Sequence, residues 1–588
     1  MENNTINITP RKGRKSGFLK VLLNLLITLV VGIVYFFFEI PAINLHDERF
    51  YIFLFVLAAV YCGAAILTSG IWKLRGQDDF LRSVANNFKL PIVICGLLIA
   101  LLLIGTLLSS PILRAGAYSK LLTIEQGDFA EDVHEVQFSE IPMLDRDSAQ
   151  QLAYRKLGEL SDMISQFEVS EENTQINFQG RPVRATPLVY ADLIKWFTNR
   201  SEGIPAYIII DMVTQNAELV RLDEGIRYTT DEHLMRNLNR YLRFRYPTYM
   251  FDAATFEIDE NGAPYWICPR VVKTIGLFGG TDIDGAVLVN AVTGESQYYD
   301  AASVPRWVDR VFTADLIIEQ YDYYGQYHNG FLNSLFGQKD VSVTTRGYNY
   351  IAMDDDVYMY TGVTSVGTDQ SNIGFLLTNQ RTKSTKFYKV AGAEEYSAMS
   401  SAQGVVQHLN YTATFPLLLN IQGEPTYFMA LKDAAGLVKM YAMVNVRQYQ
   451  IVSTGSTVAE CEQEYEKLMV QHDITVPTVE TVNEAEGVVS EIREAVKGGD
   501  TYYYIRLDGA DSYYAVCAAD SELSVILNKG DRVHISFAGD AGGDILAASG
   551  IKRLAAAPVV TAPVQTAPVT SGTDEKLAPE DALEDAQD

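Results

Sequence analysis

The sequence predicts an α+β protein built from three N-terminal transmembrane helices, repeated helix-plus-antiparallel-hairpin modules, and a small C-terminal β-barrel of the OB or SH3 kind. Three observations lead there. Apolar runs of membrane-spanning length fill the chain up to Ile112, a Gly-x-Pro phrase recurs ahead of strand-like stretches, and short alternating strands separated by Gly and Asp turns follow Glu486.

The apolar runs are Val21–Phe38, Phe50–Trp72 and Leu90–Ile112. Each is near the ~20 residues a helix needs to cross the hydrocarbon core. The first is too long for a signal-peptide core, and no small-residue cleavage site follows Phe38. Charge orients the runs. Arg11, Lys12, Arg14, Lys15 and Lys20 precede run one, and Lys73, Arg75, Arg82 and Lys89 lie around the second turn, while the first turn holds Asp47, Glu48 and Arg49. Basic short loops stay in the cytoplasm, so the expected N-terminus is inside and everything after Ile112 is extracytoplasmic. Asn24, Gly63, Thr68, Ser69 and Gly70 are candidates for helix–helix packing.

The formal net charge is −26. That excess of acid argues against a nucleic-acid surface and against lying flat on anionic lipid; it suits a soluble exported domain. Cys268, Cys461 and Cys517, outside the membrane runs, are odd in number and widely spaced. They predict buried thiols rather than a disulfide framework or a zinc set, which fits a bacterial envelope that does not rely on oxidative folding.

Beyond the anchor, Asp145–Gln166 has helical spacing and an Asp/Ser start. The recurring phrase then reads Gly203-Ile-Pro205-Ala-Tyr207, Gly262-Ala-Pro264-Tyr265 and Gly423-Glu-Pro425-Thr-Tyr427. Its expected meaning is three equivalent hairpin turns, with Gly at positive φ and Pro at the entry of the next strand. Helical patterns lie nearby at Thr230–Phe244 and Val458–His472, and another at Glu394–Leu409. A further hairpin is signalled by Asn290-Ala-Val-Thr-Gly294. Together these divide the chain into a basic leader (1–16), the anchor (17–113), an α+β module (114–309), a second, β-rich α+β module (310–474), the barrel (475–554), and a disordered Pro/Ala/Thr and acidic tail (555–588).

The stretch from Pro264 to Asp300, with its Asn290-Ala-Val-Thr293-Gly294-Glu295 turn, resembles the second half of PepSY-type modules, with Asn where Asp is usual. The resemblance covers roughly residues 234–299, with an echo around 426–454. It implies small α+β units of exported or membrane-anchored bacterial proteins, associated with binding and inhibition and carrying no reaction of their own.

Motifs for catalysis are missing from the sequence. The seven histidines form no H-E-x-x-H or H-x-x-x-H pair, and there is no G-x-S-x-G elbow or phosphate loop. Ser549-Gly-Ile-Lys552 matches S-x-x-K but lacks its partner motifs. Asp354, Asp355 and Asp356 could hold Ca²⁺ or Mg²⁺ on a loop, though a hard cation needs more oxygens; the alternative is a solvated turn. Asp282 and Asp284 are a weaker case. Tyr321, Tyr323, Tyr324 and Tyr327 could grip a sugar or peptide partner, or fill half-buried strand positions. The expected function is a non-enzymatic, cofactor-free interaction platform in the cell envelope, integral to the membrane and binding an extracytoplasmic protein or wall polymer, with homo-oligomerisation open. The alternatives are a component of an envelope-spanning secretion or conjugation assembly, or a wall enzyme whose site is assembled from distant residues.

Overall fold

The computed structural model describes residues 14–69, 77–135, 141–160, 162–353, 355–366, 371–472, 474, 483–497, 500–518, 521–537 and 545–554. Arg11, Lys12, Lys73, Arg75, Asp354 and the tail 555–588 lie outside the described residues. Two compact parts are present, Met1–Pro477 and Thr478–Asp588.

The apolar runs form α1 (Arg14–Glu39), α2 (Glu48–Ser69) and α3 (Gln77–Ser109). Each contains a stretch long and apolar enough to span a membrane: Phe18–Glu39, Glu48–Thr68 and Phe88–Ser109. Of the expected packing residues Asn24 and Thr68 meet, whereas a Cβ at Gly63 would find nothing within 4 Å and Gly70 lies outside the described residues. The Asn24 side chain and the Thr68 hydroxyl are 2.9 Å apart between α1 and α2, and Gly32 lets Leu57 approach so closely that a Cβ there would sit 2.7 Å from it. After α3 come α4 (Pro111–Tyr118), β1 (Ile124–Gly127) and α5 (Phe129–Asp132).

Residues 146–455 fold as four tandem repeats of one topology. Repeat one is α6 (Arg146–Gly158), β2 (Phe167–Val169), β3 (Thr174–Phe178), β4 (Arg181–Tyr190), an inserted α7 (Leu193–Asn199), β5 (Ile204–Asp211) and β6 (Ala217–Ile226). Repeat two is α8 (Leu238–Arg245), β7 (Met250–Phe251), β8 (Thr255–Ile258), β9 (Pro264–Ile275), β10 (Gly279–Asn290) and β11 (Ser296–Asp300). Repeat three is α9 (Ala314–Tyr327), β12 (Ser342–Thr344), β13 (Asn349–Met353), β14 (Asp356–Ser365), β15 (Ser371–Asn379) and β16 (Thr385–Tyr388), widened by β17 (Gly392–Ala393) on β15 and by β1, parallel to β16. Repeat four is α10 (Glu395–Val405), β18 (Thr412–Ala413), β19 (Leu417–Ile421), β20 (Glu424–Lys432), β21 (Val438–Asn445) and β22 (Val452–Gly455), followed by α11 (Val458–Gln471). In each repeat the first short strand pairs with the far half of the third strand, the second forms a hairpin with its near half, and the fourth and fifth extend the sheet.

The same two turns recur. The hairpin into the third strand has a left-handed residue at Gly180 (φ 75°), Gly262 (φ 83°), Asp355 (φ 66°) and Gly423 (φ 81°). The turn between strands four and five is nucleated by Asp211, Asn290, Asn379 and Asn445, whose side-chain oxygens accept from the amides of Val213, Val292, Arg381 and Gln448 at 2.9, 3.0, 2.9 and 2.9 Å. The next amide in each case, that of Met212, Ala291, Gln380 or Val446, donates to the carbonyl of Pro182, Pro264, Val357 or Pro425.

This geometry corrects the proposed repeat register. Gly203 has positive φ and precedes a strand, but it follows α7 rather than a partner strand, so it is a helix-to-strand corner. The counterpart of Gly262 and Gly423 is Gly180, whose own Gly-x-Pro (Gly180-Arg181-Pro182) is the true first member. Two helix readings also shift. The Asp145–Gln166 pattern is helical only to Gly158, and Thr230–Phe244 divides into a 3₁₀ turn at Leu234–Arg236 and α8, because Asn237 recaps the chain on the Arg240 amide. Tyr321–Tyr327, read within a β-rich stretch, is the last half of α9.

Consecutive repeats share cores. Trp266, Phe256, Tyr207 and Leu188 join repeats one and two; Ile267, Leu288, Ile317 and Leu376 join two and three; Phe375, Tyr427, Leu418 and Met443 join three and four. No repeat buries its apolar face alone, which is the logic of stacked repeat arrays. Cys268 and Cys461 belong to these cores.

Repeat two also seats on the three apolar helices. The β9–β10 tip places Leu277 and Phe278 against Gly105 of α3, where a Cβ would lie 2.8 Å from each side chain. Both their amides donate to Ser109 Oγ, at 2.9 and 3.0 Å. Arg240 and Arg243 on α8 donate to the carbonyls of Phe37 and Ile40 at the end of α1, at 2.9 and 2.8 Å. These bonds satisfy the orphan carbonyls that every helix leaves at its C-terminus.

In the second part, β23 (Asn483–Lys497) pairs with β24 (Asp500–Leu507), β24 with β25 (Tyr513–Cys517), β25 in parallel with β27 (Ile545–Arg553), β27 with β26 (Arg532–Phe537), and β26 back to β23, with α12 (Glu522–Val525) after β25. The ring is closed, and Val489, Ile505, Tyr514, Val533 and Phe537 fill it.

Candidate binding cleft and buried polar junction

A cleft of about 550 Å³ opens where repeats one, three and four meet. The recurrent turns build its walls: Gly180 and Arg181 from the β3–β4 hairpin, Asp211, Val213 and Thr214 from the β5–β6 turn, and Asp355 from the β13–β14 turn. Leu417 and Leu419 of β19 and Ile351 and Met353 of β13 form an apolar floor, and His134 and Glu135 close one side.

The rim is acidic. Asp211 contributes while its Oδ1 is held by the Val213 and Thr214 amides, and Arg181 stands 3.5 Å from its Oδ2. Glu135 Oε1 accepts from the Gln422 amide at 3.0 Å. Beyond it, burial and the carboxylates of Glu466 and Glu135 push Glu462 up to about 7. Such a site, apolar at its floor with a few fixed polar groups at its edge, suits recognition of a polar or cationic ligand segment.

Behind Asn177, which also lines the cleft, lies a buried carboxylate pair. Glu257 Oε2 accepts from the Asp309 amide at 2.8 Å, and its Oε1 from the Arg310 amide at 3.1 Å and the Thr255 hydroxyl at 3.2 Å. Asp309 Oδ2 in turn accepts from the Asn177 amide at 2.6 Å. Burial raises Glu257 to about 7, and burial together with Glu257 holds Asp309 well above the usual carboxylate range. Arg310 bonds the Tyr350 hydroxyl and lies 4.3 Å over its ring, and the buried Arg184 is lowered by burial to about 10. Repeats one, two and three are therefore tied together by one polar network.

The sequence-selected residues fall elsewhere or serve structure. Asp354 lies outside the described residues. Asp355 reaches the cleft, but Asp356 is no solvated turn residue: its carboxylate takes Arg381 Nε and Nη2 at 2.7 Å each and Asn379 Nδ2 at 2.8 Å. Asp282 pairs with Lys383 at 2.6 Å and Asp284 with Arg270 at 3.5 Å. Among the described residues, no group of three or more His, Cys, Asp or Glu side chains is placed to hold a metal ion.

On α9, Tyr321 is buried in the core between repeats two and three. Tyr324 stacks on His328. Tyr323 donates to Glu319 at 2.8 Å and meets Tyr118 of α4 edge-on at 4.7 Å; Tyr327 stacks on Tyr323 at 6.0 Å. The four tyrosines are thus helical and face two ways, not strand filler. His328 is exposed at the end of α9, and neither it nor His408 lines the cleft.

Sequence reasoning missed Glu257, Asp309 and Arg184 because they come together from β8, the segment before α9, and β4, which are far apart in the chain. The Asp211 turn was legible: D-M-V-T-Q-N at 211–216 parallels N-A-V-T-G-E at 290–295 and N-Q-R-T-K-S at 379–384. No protein-family model and no curated protein sequence matches this chain.

Proposed function

We propose that this chain is a membrane-anchored, extracytoplasmic interaction platform of the cell envelope, non-enzymatic, with the inter-repeat cleft as its binding site for a protein or wall polymer. The observation that carries the reading is the cleft's construction. Its walls are equivalent turns of stacked repeats, so the array presents loops at one junction much as other repeat proteins present binding faces. The Asx side chains there are spent on turn geometry, and Asp356, Asp282 and Asp284 on ion pairs, which favours a binding role over chemistry.

The orientation has the N-terminus in the cytoplasm and the repeats outside. Supporting it, the α1–α2 loop and the end of α3 contact the same repeat: Ile43 N donates to Pro247 O and Leu277 N to Ser109 Oγ. That leaves the basic N-terminal end of α1 at the opposite face, as positive-inside topology requires. We assign the repeats to a PepSY-like type on the basis of the Asx-x-x-Thr turn of repeats one to three, and the terminal barrel to the OB type on its five-strand order with one parallel pair and a helix after the third strand.

The test is capture from solubilised cell envelope and purified wall polymer by the full chain in detergent micelles, comparing the wild type with Thr214→Trp, which fills the cleft from an exposed turn position. The expected result is a specific partner lost in the variant at unchanged melting temperature. A partner retained equally by Thr214→Trp removes the cleft from the account.

A further inference from the structure

Although the chain is strongly acidic, the face of repeats one and two nearest the end of α1 is apolar and basic. Ile194 and Phe197 of α7 are 72% and 63% exposed, and Leu234, 55% exposed, is held at φ 53°, a left-handed conformation that leucine rarely adopts. Leu193 and Met235 extend the patch. Contacts between named groups make it one surface. The His233 ring lies 4.9 Å from the Trp196 ring, the Trp196 indole donates to the buried Glu232 at 2.5 Å, and Arg236 bonds the Arg200 carbonyl.

Arg240 joins this surface to the anchor. Its Nη1 donates to the Leu234 carbonyl at 2.7 Å, its Nε to the Phe37 carbonyl at 2.9 Å, and its guanidinium lies 4.5 Å over the Phe37 ring. Arg200 lies 4.8 Å over the Phe197 ring, so a cation rides directly on the apolar face. The nearby acids are Glu232, which is buried, Asp192, whose Oδ1 caps α7 through the Ile194 and Lys195 amides, and the exposed Asp231 and Glu202.

From this we infer that the surface around α7 and Leu234 rests on the bilayer, with Ile194, Phe197 and Leu234 entering the interface and Arg200, Arg236 and Arg240 at the phosphates of an anionic phospholipid. Apolar side chains backed by basic ones are the signature of an interfacial helix, and here they continue directly from a membrane-spanning element. A second flank is built the same way against α4. The ladder Tyr118–Tyr323–Tyr327–Phe331, with steps of 4.7, 6.0 and 6.1 Å, leads to Leu332 and Phe336, 70% and 82% exposed. On this reading the tyrosines form an interfacial aromatic belt.

The inference rests on the membrane-anchor reading, and the test separates the two. In the full chain with its five native cysteines replaced, Leu26→Cys, Ile194→Cys, Phe197→Cys, Phe336→Cys and Val470→Cys each carry an environment-sensitive fluorophore. The chain is reconstituted in vesicles of phosphatidylcholine with or without phosphatidylglycerol, doped with nitroxide-bearing lipid. Leu26, within α1, reports the anchor; Val470, exposed on α11, reports solvent. Interfacial faces sit ~5–10 Å into the headgroup boundary, so labels at 194, 197 and 336 should lose about half their intensity or more, the loss growing with phosphatidylglycerol. Quenching at 26 with 194 and 197 behaving like 470 overturns the inference while leaving the anchor standing. No quenching at 26 overturns the anchor itself, and with it the inference. Quenching at 194 and 197 that is indifferent to phosphatidylglycerol, and unchanged by Arg200→Gln with Arg236→Gln, overturns the anionic-lipid assignment.

Discussion

Replacing Glu257 with Gln should change how stability depends on pH. Glu257 is fully buried and its carboxyl is raised from 4.5 to about 7 by burial. In the unfolded chain it ionises near its ordinary value, so between these limits the folded state binds the extra proton. The stabilisation from the protonated carboxyl is fully present below about pH 4.5 and is lost as pH rises through about 7. Glu257 and Asp309 titrate as a coupled pair, so this loss belongs to the pair and appears as a stability that falls as pH rises through neutrality. Gln mimics the protonated acid but gives up one acceptor, so it should leave one of the Asp309, Arg310 and Thr255 donors less well satisfied, at about 1 kcal/mol. Glu257→Gln should therefore be slightly less stable than wild type at pH 4.5 and more stable at pH 8.5, with the curves crossing between. Thermal melts of the full chain in detergent across pH 4.5–8.5 read this directly. Parallel curves for the two proteins would refute the buried, protonated pair.

The ion pair of Asp356 and Arg381 is largely buried, at 10% and 21% side-chain exposure, so Arg381→Ala should cost about 3 kcal/mol and lower the melting temperature in the same assay. Gly180→Val and Gly423→Val meet no atoms within 4 Å and should cost only the left-handed strain, about 1–2 kcal/mol, whereas Gly203→Val also meets the Ile226 carbonyl at 2.7 Å and should cost more; equal losses would contradict the corrected register. Gly105→Leu should expel the Leu277–Phe278 tip from α3, seen as faster amide exchange over 274–280 with the α11 amides unchanged.

What was legible in the sequence was whatever rests on local pattern. The three apolar runs, the helical pattern that becomes α11, and the Asn290 turn are written in adjacent residues and stand where expected. The repeat was half legible. Gly262-Ala-Pro264 and Gly423-Glu-Pro425 are true equivalents, but Gly203-Ile-Pro205 imitates them because helix-to-strand corners and hairpins share turn chemistry. Repeat three escaped notice since Asp355 replaces the glycine and no proline follows. The tyrosines misled by composition: aromatic residues favour strands, yet in α9 Leu316, Ile317, Gln320 and Tyr321 supply a buried helical face. The cleft and the Glu257–Asp309 pair depend on which distant segments become neighbours, and no local pattern records that.

The most direct measurement of the central claim is accessibility in intact cells. In the cysteine-free full chain, Val470→Cys on α11 and Asp78→Cys at the start of α3 are challenged with a membrane-impermeant maleimide. The proposed orientation exports the repeats and retains the second basic turn, so it predicts that Val470→Cys labels in intact cells and Asp78→Cys only after permeabilisation. Labelling of Asp78→Cys in intact cells, or protection of Val470→Cys until lysis, would contradict an extracytoplasmic platform.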